Sequence, residues 1–219
     1  MDPEFWHERW TRGEIAFHQH DVNAHVQAFI NRLGVGPGAH IFVPLCGKSL
    51  DLLWLSQQGF RVTGVEISPQ AVRDFFAENN LQPRIIDIPG GQRFQVPGLD
   101  ILCADFFNME LADLPVFDAV YDRASLIALP AKQRPGYAER MERWVRPGVR
   151  TLLLTLNYPQ HEMPGPPFSV SLAEVEALYG KTFRVEELHS EDCLDREPRF
   201  RKKGLTRLTE HVLLLERKP

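Results

Sequence analysis

His40-Ile-Phe-Val-Pro-Leu-Cys-Gly-Lys-Ser-Leu-Asp51, followed shortly by Phe60-Arg-Val-Thr-Gly-Val-Glu-Ile-Ser-Pro69, decides the fold class. His40–Leu45 is an unbroken apolar run that reads as a buried strand. Ser49–Gln58 reads as a helix capped by Ser49 and stopped by Gly59. Phe60–Ile67 repeats the strand pattern, and Ser68-Pro69 opens a second helix that runs to about Asn79, Ser and Pro being favoured at the first helical positions. Strand, helix, strand, helix within about 40 residues is the alternation of a parallel α/β sheet.

The pattern extends in both directions. Upstream, Asp2-Pro3 predicts a short helix ended by Gly13. A second helix is expected after Asp21, with Val22, Val26, Phe29, Ile30 and Leu33 on one face. Downstream, residues 81–98 carry three prolines and three glycines and read as an inserted hairpin. Strands are expected at Leu99–Ala104, Phe117–Tyr121 and Thr151–Leu156, with a helix over Ala131–Val145. A Pro-rich loop, Tyr158–Ser171, precedes a helix over Ser171–Tyr179. Two late extended segments, Phe183–His189 and Leu208–Arg217, have no helix between them and predict an antiparallel closing hairpin. The expectation is a Rossmann-like sheet of about seven strands, mostly parallel with an antiparallel last strand, and helices on both faces. Residues 1–219 read as one domain, with 1–21 as an N-terminal lid and 22–219 as the α/β core.

Composition narrows the classes of function. The 219 residues carry 25 Lys+Arg against 29 Asp+Glu, a net charge of −4, which argues against a duplex nucleic-acid or anionic-membrane binder. No apolar stretch is long enough to span a bilayer, and the acidic, aromatic N-terminus resembles no targeting signal. Cys46, Cys103 and Cys193 show no C-x-x-C spacing and read as reduced thiols of a cytoplasmic protein. His18 and His20 belong to no metal-ligand pattern, so no metal is expected.

The turn after the first strand is where an open α/β sheet binds ligands. Gly47 lets main chain approach a ligand there. Gly47-Lys48-Ser49 resembles the end of a P-loop, but Phe42 stands where its first glycine is required, and only one glycine of a dinucleotide fingerprint is present. A site for S-adenosylmethionine needs no phosphate cradle. It needs an acid at the end of the second strand for the ribose hydroxyls, and Glu66 stands there, 19 residues past Gly47. It also needs an adenine slot after the next core strand, where Asp105 is placed to accept from the adenine amino group and Phe106 to pack on the ring. The same Asp105 fits a turn cap equally well. A sheet with these features is of the methyltransferase type. The alternatives are a non-catalytic adenosyl-ligand binding module and an NAD-dependent Rossmann oxidoreductase.

Several blocks carry a family resemblance. Trp10 with Ile15-Ala-Phe-His-Gln, Phe42-Val-Pro-Leu-Cys-Gly-Lys, Gly64-Val-Glu-Ile-Ser, Tyr121-Asp-Arg-Ala-Ser-Leu-Ile-Ala-Leu and Pro164-Gly-Pro-Pro-Phe are similar to thiopurine S-methyltransferases of the bacterial type. The resemblance runs from about Phe5 to Arg217. It implies methyl transfer from S-adenosylmethionine to the sulfur of aromatic or heterocyclic thiols such as thiopurines, and to selenium or tellurium compounds. It implies cofactor contacts at Trp10, Leu45, Glu66 and Arg123, with Cys103-Ala104-Asp105 beside the adenine. It places Phe17 at the substrate pocket and Arg123 and Arg199 near the acceptor. The expected partner is a small-molecule thiol, and the expected state is a monomer.

Overall fold

The structure, a computed structural model, describes residues 3–15 and 17–219. The predicted cap Asp2 lies outside the described residues, as does Ala16 of the Ile15-Ala-Phe-His-Gln block. The chain packs as two compact units, the first ending at Tyr121 and the second running from Asp122 to Pro219.

The first unit opens with α1 (Pro3–Thr11) and α2 (Ala24–Phe29), the latter continuing as a single 3-10 turn to Leu33. The cap of α2 is Asn23, two residues later than the predicted Asp21, because the Asn23 carboxamide oxygen accepts from the His25 N–H at 2.9 Å. Then come β1 (His40–Val43), α3 (Asp51–Gln57), β2 (Arg61–Glu66) and α4 (Pro69–Glu78). Ser68 caps α4 as expected, its Oγ accepting from Ala71 N at 3.3 Å. α3 starts two residues later than predicted, and Ser49 Oγ accepts from Asp51 N at 3.2 Å. The delay is the length of the turn between β1 and α3, which contains two left-handed residues.

Residues 81–98 form β3 (Arg84–Ile88) and β4 (Gly91–Val96), an antiparallel hairpin that pairs on through β4 to β5 (Leu99–Ala104). β6 (Ala119–Arg123) closes the unit and pairs with β1 through Ala119 and Val120. The strand order is β3-β4-β5-β2-β1-β6, and β5, β2, β1 and β6 are parallel neighbours. The order therefore reverses at β1, which makes the turn after it the switch point of the sheet. The core is apolar side chains on these strands and on α3 and α4: Ile41, Val65, Leu52, Leu55, Val72 and Phe75 are fully buried. Phe42, where a P-loop would need glycine, stacks on Phe117 at 5.2 Å and is part of that core.

The second unit contains α5 (Ser125–Ala128), α6 (Arg134–Trp144), β7 (Arg150–Asn157), α7 (Leu172–Tyr179), β8 (Phe183–Asp192), α8 (Pro198–Lys202) and β9 (Thr209–Arg217). β9 lies between β7 and β8 and is antiparallel to both. The late pair of strands is antiparallel as predicted, but the stretch between them is not helix-free: it carries the short α8, which the charged Arg196–Lys203 run does not announce. The described residues hold nine strands rather than seven. The difference is the 81–98 hairpin, whose two strands extend the sheet edge. Its polar, turn-rich composition conceals them: every residue of β3 is exposed or half-buried. Phe75, Phe76 and Trp144 are buried in the core, whereas Trp54 is only half-buried on α3.

Candidate functional site

The switch-point turn is built from two carboxylates and two left-handed residues. Leu45 sits at φ 45° and Gly47 at φ 56°. A non-glycine residue in this region costs about 1–3 kcal/mol and marks a conformation that the surroundings enforce. Glu66, at the end of β2, supplies part of the enforcement. Its Oε2 accepts from Gly47 N at 2.9 Å and its Oε1 from Ser68 N at 2.7 Å, so one side chain fixes the turn after β1 and the start of α4. Glu66 is only 6% exposed. Burial pushes its pKa above the usual carboxylate range, opposed by the main-chain N–H groups of Ser68, Gly47 and Ile67. An ionised carboxylate has about four acceptor sites, so these donors leave capacity for another.

A second carboxylate was not singled out from the sequence. Asp51, buried at the start of α3, accepts from Asn23 N at 2.8 Å through Oδ1 and from the Tyr121 hydroxyl at 2.9 Å through Oδ2. It ties the entry to α2 and the strand β6 to the same turn. An acid at a helix start is so ordinary a capping signal that sequence alone gives no reason to mark it. Lys48 is buried and its Nζ pairs with Glu78 Oε1 at 2.6 Å, so it does not present a cation to a phosphate.

The N-terminal segment docks onto this turn. His7 donates from Nε2 to the carbonyl of Ile67 at 3.1 Å, and Trp10 is buried. A Cβ built on Gly47 would lie 3.4 Å from Cζ2 of Trp10, so the indole covers the glycine directly. Phe17 packs edge-on against both Trp10 and Trp6, at 5.5 and 5.7 Å. The structure thereby brings together Trp10, Gly47, Glu66 and, through Trp10, Phe17.

Ala104 and Asp105 follow directly on Cys103, which is paired in register with Glu66. Asp105 is half-buried and caps its own turn, Oδ1 accepting from Phe107 N at 2.9 Å and Oδ2 from Asn108 Nδ2 at 2.8 Å. Phe106 is 1% exposed, so its ring is enclosed by protein and offers no face to a base. The half-exposed aromatic beside it is Phe107. Cys46 is buried beneath the turn with its thiol pKa pushed well up by burial, and it packs so close to Gly64 that a Cβ there would come within 2.7 Å of its sulfur. It is a packing residue, not a nucleophile. All three cysteines are free thiols, as expected.

In the second unit, Arg123 is half-buried at the end of β6, immediately before a left-handed Ala124. Arg199 sits on α8, its Nε donating to Glu197 Oε2 at 2.9 Å and its guanidinium stacked 4.8 Å above Phe200. α8 is anchored by a local cluster that joins Phe200, Leu194 and Leu205 to Tyr158 and Met163 of the Pro-rich loop.

The family model described as thiopurine S-methyltransferase matches residues 1–218. The chain belongs to the thiopurine S-methyltransferase family. The family member from Nitrosospira multiformis is 47% identical over 215 residues, covering 98% of each chain. The one from Pseudomonas fluorescens strain Pf0-1 is 45% identical over 212 residues, covering 97% of each. Among solved structures, an S-adenosylmethionine-dependent methyltransferase from Anabaena variabilis superposes with a TM-score of 0.68 at 13% identity, over 99% of this chain and 95% of that one. A Burkholderia thailandensis 1,6-didemethyltoxoflavin N1-methyltransferase does so at 0.63 with 16% identity, over 99% and 87%. These likenesses confirm the Rossmann-like methyltransferase fold. As a thiopurine S-methyltransferase family member the chain is an S-adenosylmethionine-dependent S-methyltransferase, which displaces the binding-module and NAD-oxidoreductase alternatives. Among the described residues no helix is long and apolar enough to cross a membrane.

Proposed function

We propose that the enzyme methylates the sulfur of heteroaromatic thiols such as thiopurines, with Glu66, Gly47 and Trp10 forming the heart of its cofactor site. The observation that supports this most directly is Glu66: a buried strand-end carboxylate whose two oxygens are fixed by main-chain donors and still have capacity for a hydroxyl. In this reading it takes the ribose hydroxyls. Leu45 and Gly47 present main chain to the methionyl part, and Ala104 and Asp105 border the adenine. Asp105 then borders the adenine with its carboxylate already committed to its own turn.

When bound, S-adenosylmethionine supplies an electrophilic methyl group on a sulfonium. The protein's task is alignment and exclusion of water. An attacking thiolate and a sulfonium cancel charge as they approach, so an apolar, aromatic wall favours the transition state over the charged reactants. Trp10 and Phe17 provide such a wall from residues 1–21, which act as a lid. Arg123 and Arg199 hold the acceptor as its anion. Neither is a general base, since arginine keeps its proton. Heteroaromatic thiols are acidic enough to need none. Glu197 already neutralises part of the Arg199 charge, which tempers its grip on the attacking sulfur. Selenolates and tellurolates share the soft, anionic character of these thiolates and fall within the same chemistry. The enzyme acts as a cytoplasmic monomer in this reading.

The test is a thermal-shift and turnover experiment. S-adenosylhomocysteine should raise the melting temperature where NAD and ATP do not, and 6-mercaptopurine with S-adenosylmethionine should yield the S-methyl product. Stabilisation by S-adenosylhomocysteine with no turnover of any aromatic thiol would refute the acceptor class. No stabilisation would refute the cofactor site.

A further inference from the structure

The corner between β6 and α5 is more heavily built than a strand end requires. Arg123 is followed by Ala124 at φ 69°, ψ −1°, a left-handed conformation disfavoured for any residue with a Cβ. Asp122, just before Arg123, is 1% exposed. Its Oδ2 accepts from the Tyr137 hydroxyl of α6 at 2.6 Å. Ser125, fully buried at the first position of α5, bonds the same carboxylate through both its main-chain N–H and its hydroxyl. One carboxylate therefore clamps the two sides of the Arg123–Ala124 corner to each other and to α6.

The clamp ties β6 to α6 with a charge rather than an apolar contact. The groups acting on Asp122 are Tyr137 and Ser125, and no cation is among them; Tyr179 of α7 also feels its charge. It lines a cavity of about 10 Å³, room for one water, with Met141, Val145, Thr151 and Tyr179. Burial without a counter-ion pushes its pKa up to about 6. A buried, unpaired acid weakens a fold unless it does something an apolar or amide side chain would not. Nor does it pair with the neighbouring guanidinium: successive strand residues point to opposite faces, so any influence on Arg123 passes through the main chain.

We propose that Asp122 is a positioning residue for Arg123: clamped to Tyr137 and Ser125, it holds the left-handed corner that sets the direction in which Arg123 leaves the sheet towards the acceptor. The proposal rests on the reading of Arg123 as an acceptor-holding residue.

Steady-state kinetics with 6-mercaptopurine on Arg123→Lys, Asp122→Asn, Tyr137→Phe and the Asp122→Asn/Arg123→Lys double variant test it. Arg123→Lys should raise the acceptor KM by about tenfold or more, because a point charge does not replace a planar fork. Asp122→Asn should raise the same KM by about five- to twentyfold, with any weakening of S-adenosylhomocysteine binding no larger than that of Arg123→Lys, and Tyr137→Phe should raise the KM by a smaller factor. The double variant should be no worse than about twofold beyond Arg123→Lys, since the second change removes a hold on a side chain already lost. Multiplicative effects in the double variant, or a wild-type acceptor KM in both Asp122→Asn and Tyr137→Phe, would overturn the proposal while leaving Arg123 in its role. If Arg123→Lys itself has wild-type kinetics, the reading of Arg123 fails and the proposal falls with it. Should Asp122→Asn not fold, Tyr137→Phe alone decides by the same KM criterion.

Discussion

Replacing Glu66 by glutamine isolates the role of its charge, because the amide keeps the shape. In the folded chain the carboxylate is 6% exposed, with Oε2 2.9 Å from Gly47 N and Oε1 2.7 Å from Ser68 N. A glutamine supplies one oxygen and one NH2. Whichever way the amide turns, one of those two main-chain N–H groups faces another donor, and the other loses the charge that shortened its bond. An unsatisfied buried donor costs about 1–3 kcal/mol. Against this stands the recovered desolvation of a buried anion. The upward push on the Glu66 pKa shows that burial outweighs the donors that favour its ionised form. The two effects oppose each other, so stability should change by no more than about 1–2 kcal/mol, a melting shift of at most about 8 °C in a chain of this length.

Ligand binding has no such compensation. Ribose hydroxyls that donate to a carboxylate make charge-assisted bonds worth about 1.5–3 kcal/mol. Losing them weakens affinity by about ten- to 150-fold. Titration calorimetry of S-adenosylhomocysteine into Glu66→Gln, paired with a melting scan to show that the protein is folded, reads both quantities. A folded variant with wild-type affinity would make Glu66 a tie between two turns and nothing more.

Gly47→Ala places a Cβ at φ 56° and 3.4 Å from the Trp10 ring; left-handed strain of about 1–2 kcal/mol and a displaced indole should lower the melting temperature and weaken S-adenosylhomocysteine binding together, as scanning calorimetry with and without ligand would show. Asp122 titrates at about 6 when folded against about 3.9 unfolded, so the folded chain binds the extra proton between those values. Stability should therefore fall as pH rises from about 4 to about 6, by about 3 kcal/mol at most, and stay flat above; Asp122→Asn should lack that slope in urea melts across the range.

Much of this was legible in the sequence, and the exceptions share a cause. β5 and the buried faces of β1, β2 and α4 are written in apolar runs and caps that burial alone dictates. The hairpin strands β3 and β4 were readable as a hairpin but not as members of the sheet, because Arg84–Ile88 keeps no period-two alternation and has no buried residue to declare a face. Glu66 was legible because a charge flanked by Val65 and Ile67 contradicts its neighbourhood. Asp51 and Asp122 were not, because each is followed by residues that make a turn or helix start unremarkable. Residues 1–21 were readable as a lid, but not that Trp10 would lie over Gly47, since that contact depends on two left-handed residues that no local pattern announces.

The three strand-end acids show why chemistry and architecture are hard to tell apart in this fold. Glu66, Asp105 and Asp122 stand at or just past the carboxyl ends of β2, β5 and β6, and each accepts a main-chain N–H two or three residues on: Ser68, Phe107 and Ser125. The chain must turn sharply at the end of every parallel strand, and the first N–H groups beyond the turn lack partners, so a short acid there satisfies them. That same edge of the sheet is where ligands bind. An acid recruited to cap a turn therefore already stands where a hydroxyl or an amino group will arrive. What separates the functional cases is the balance of costs. Asp105 is half-exposed to solvent and needs no further explanation. Glu66 and Asp122 are buried and pushed up in pKa; among the described residues Glu66 has only His7 acting on it as a potential cation, and Asp122 has none. An acid kept at that disadvantage is more than a cap, and it is on those two side chains that the cofactor end and the acceptor end of the reaction are proposed to depend.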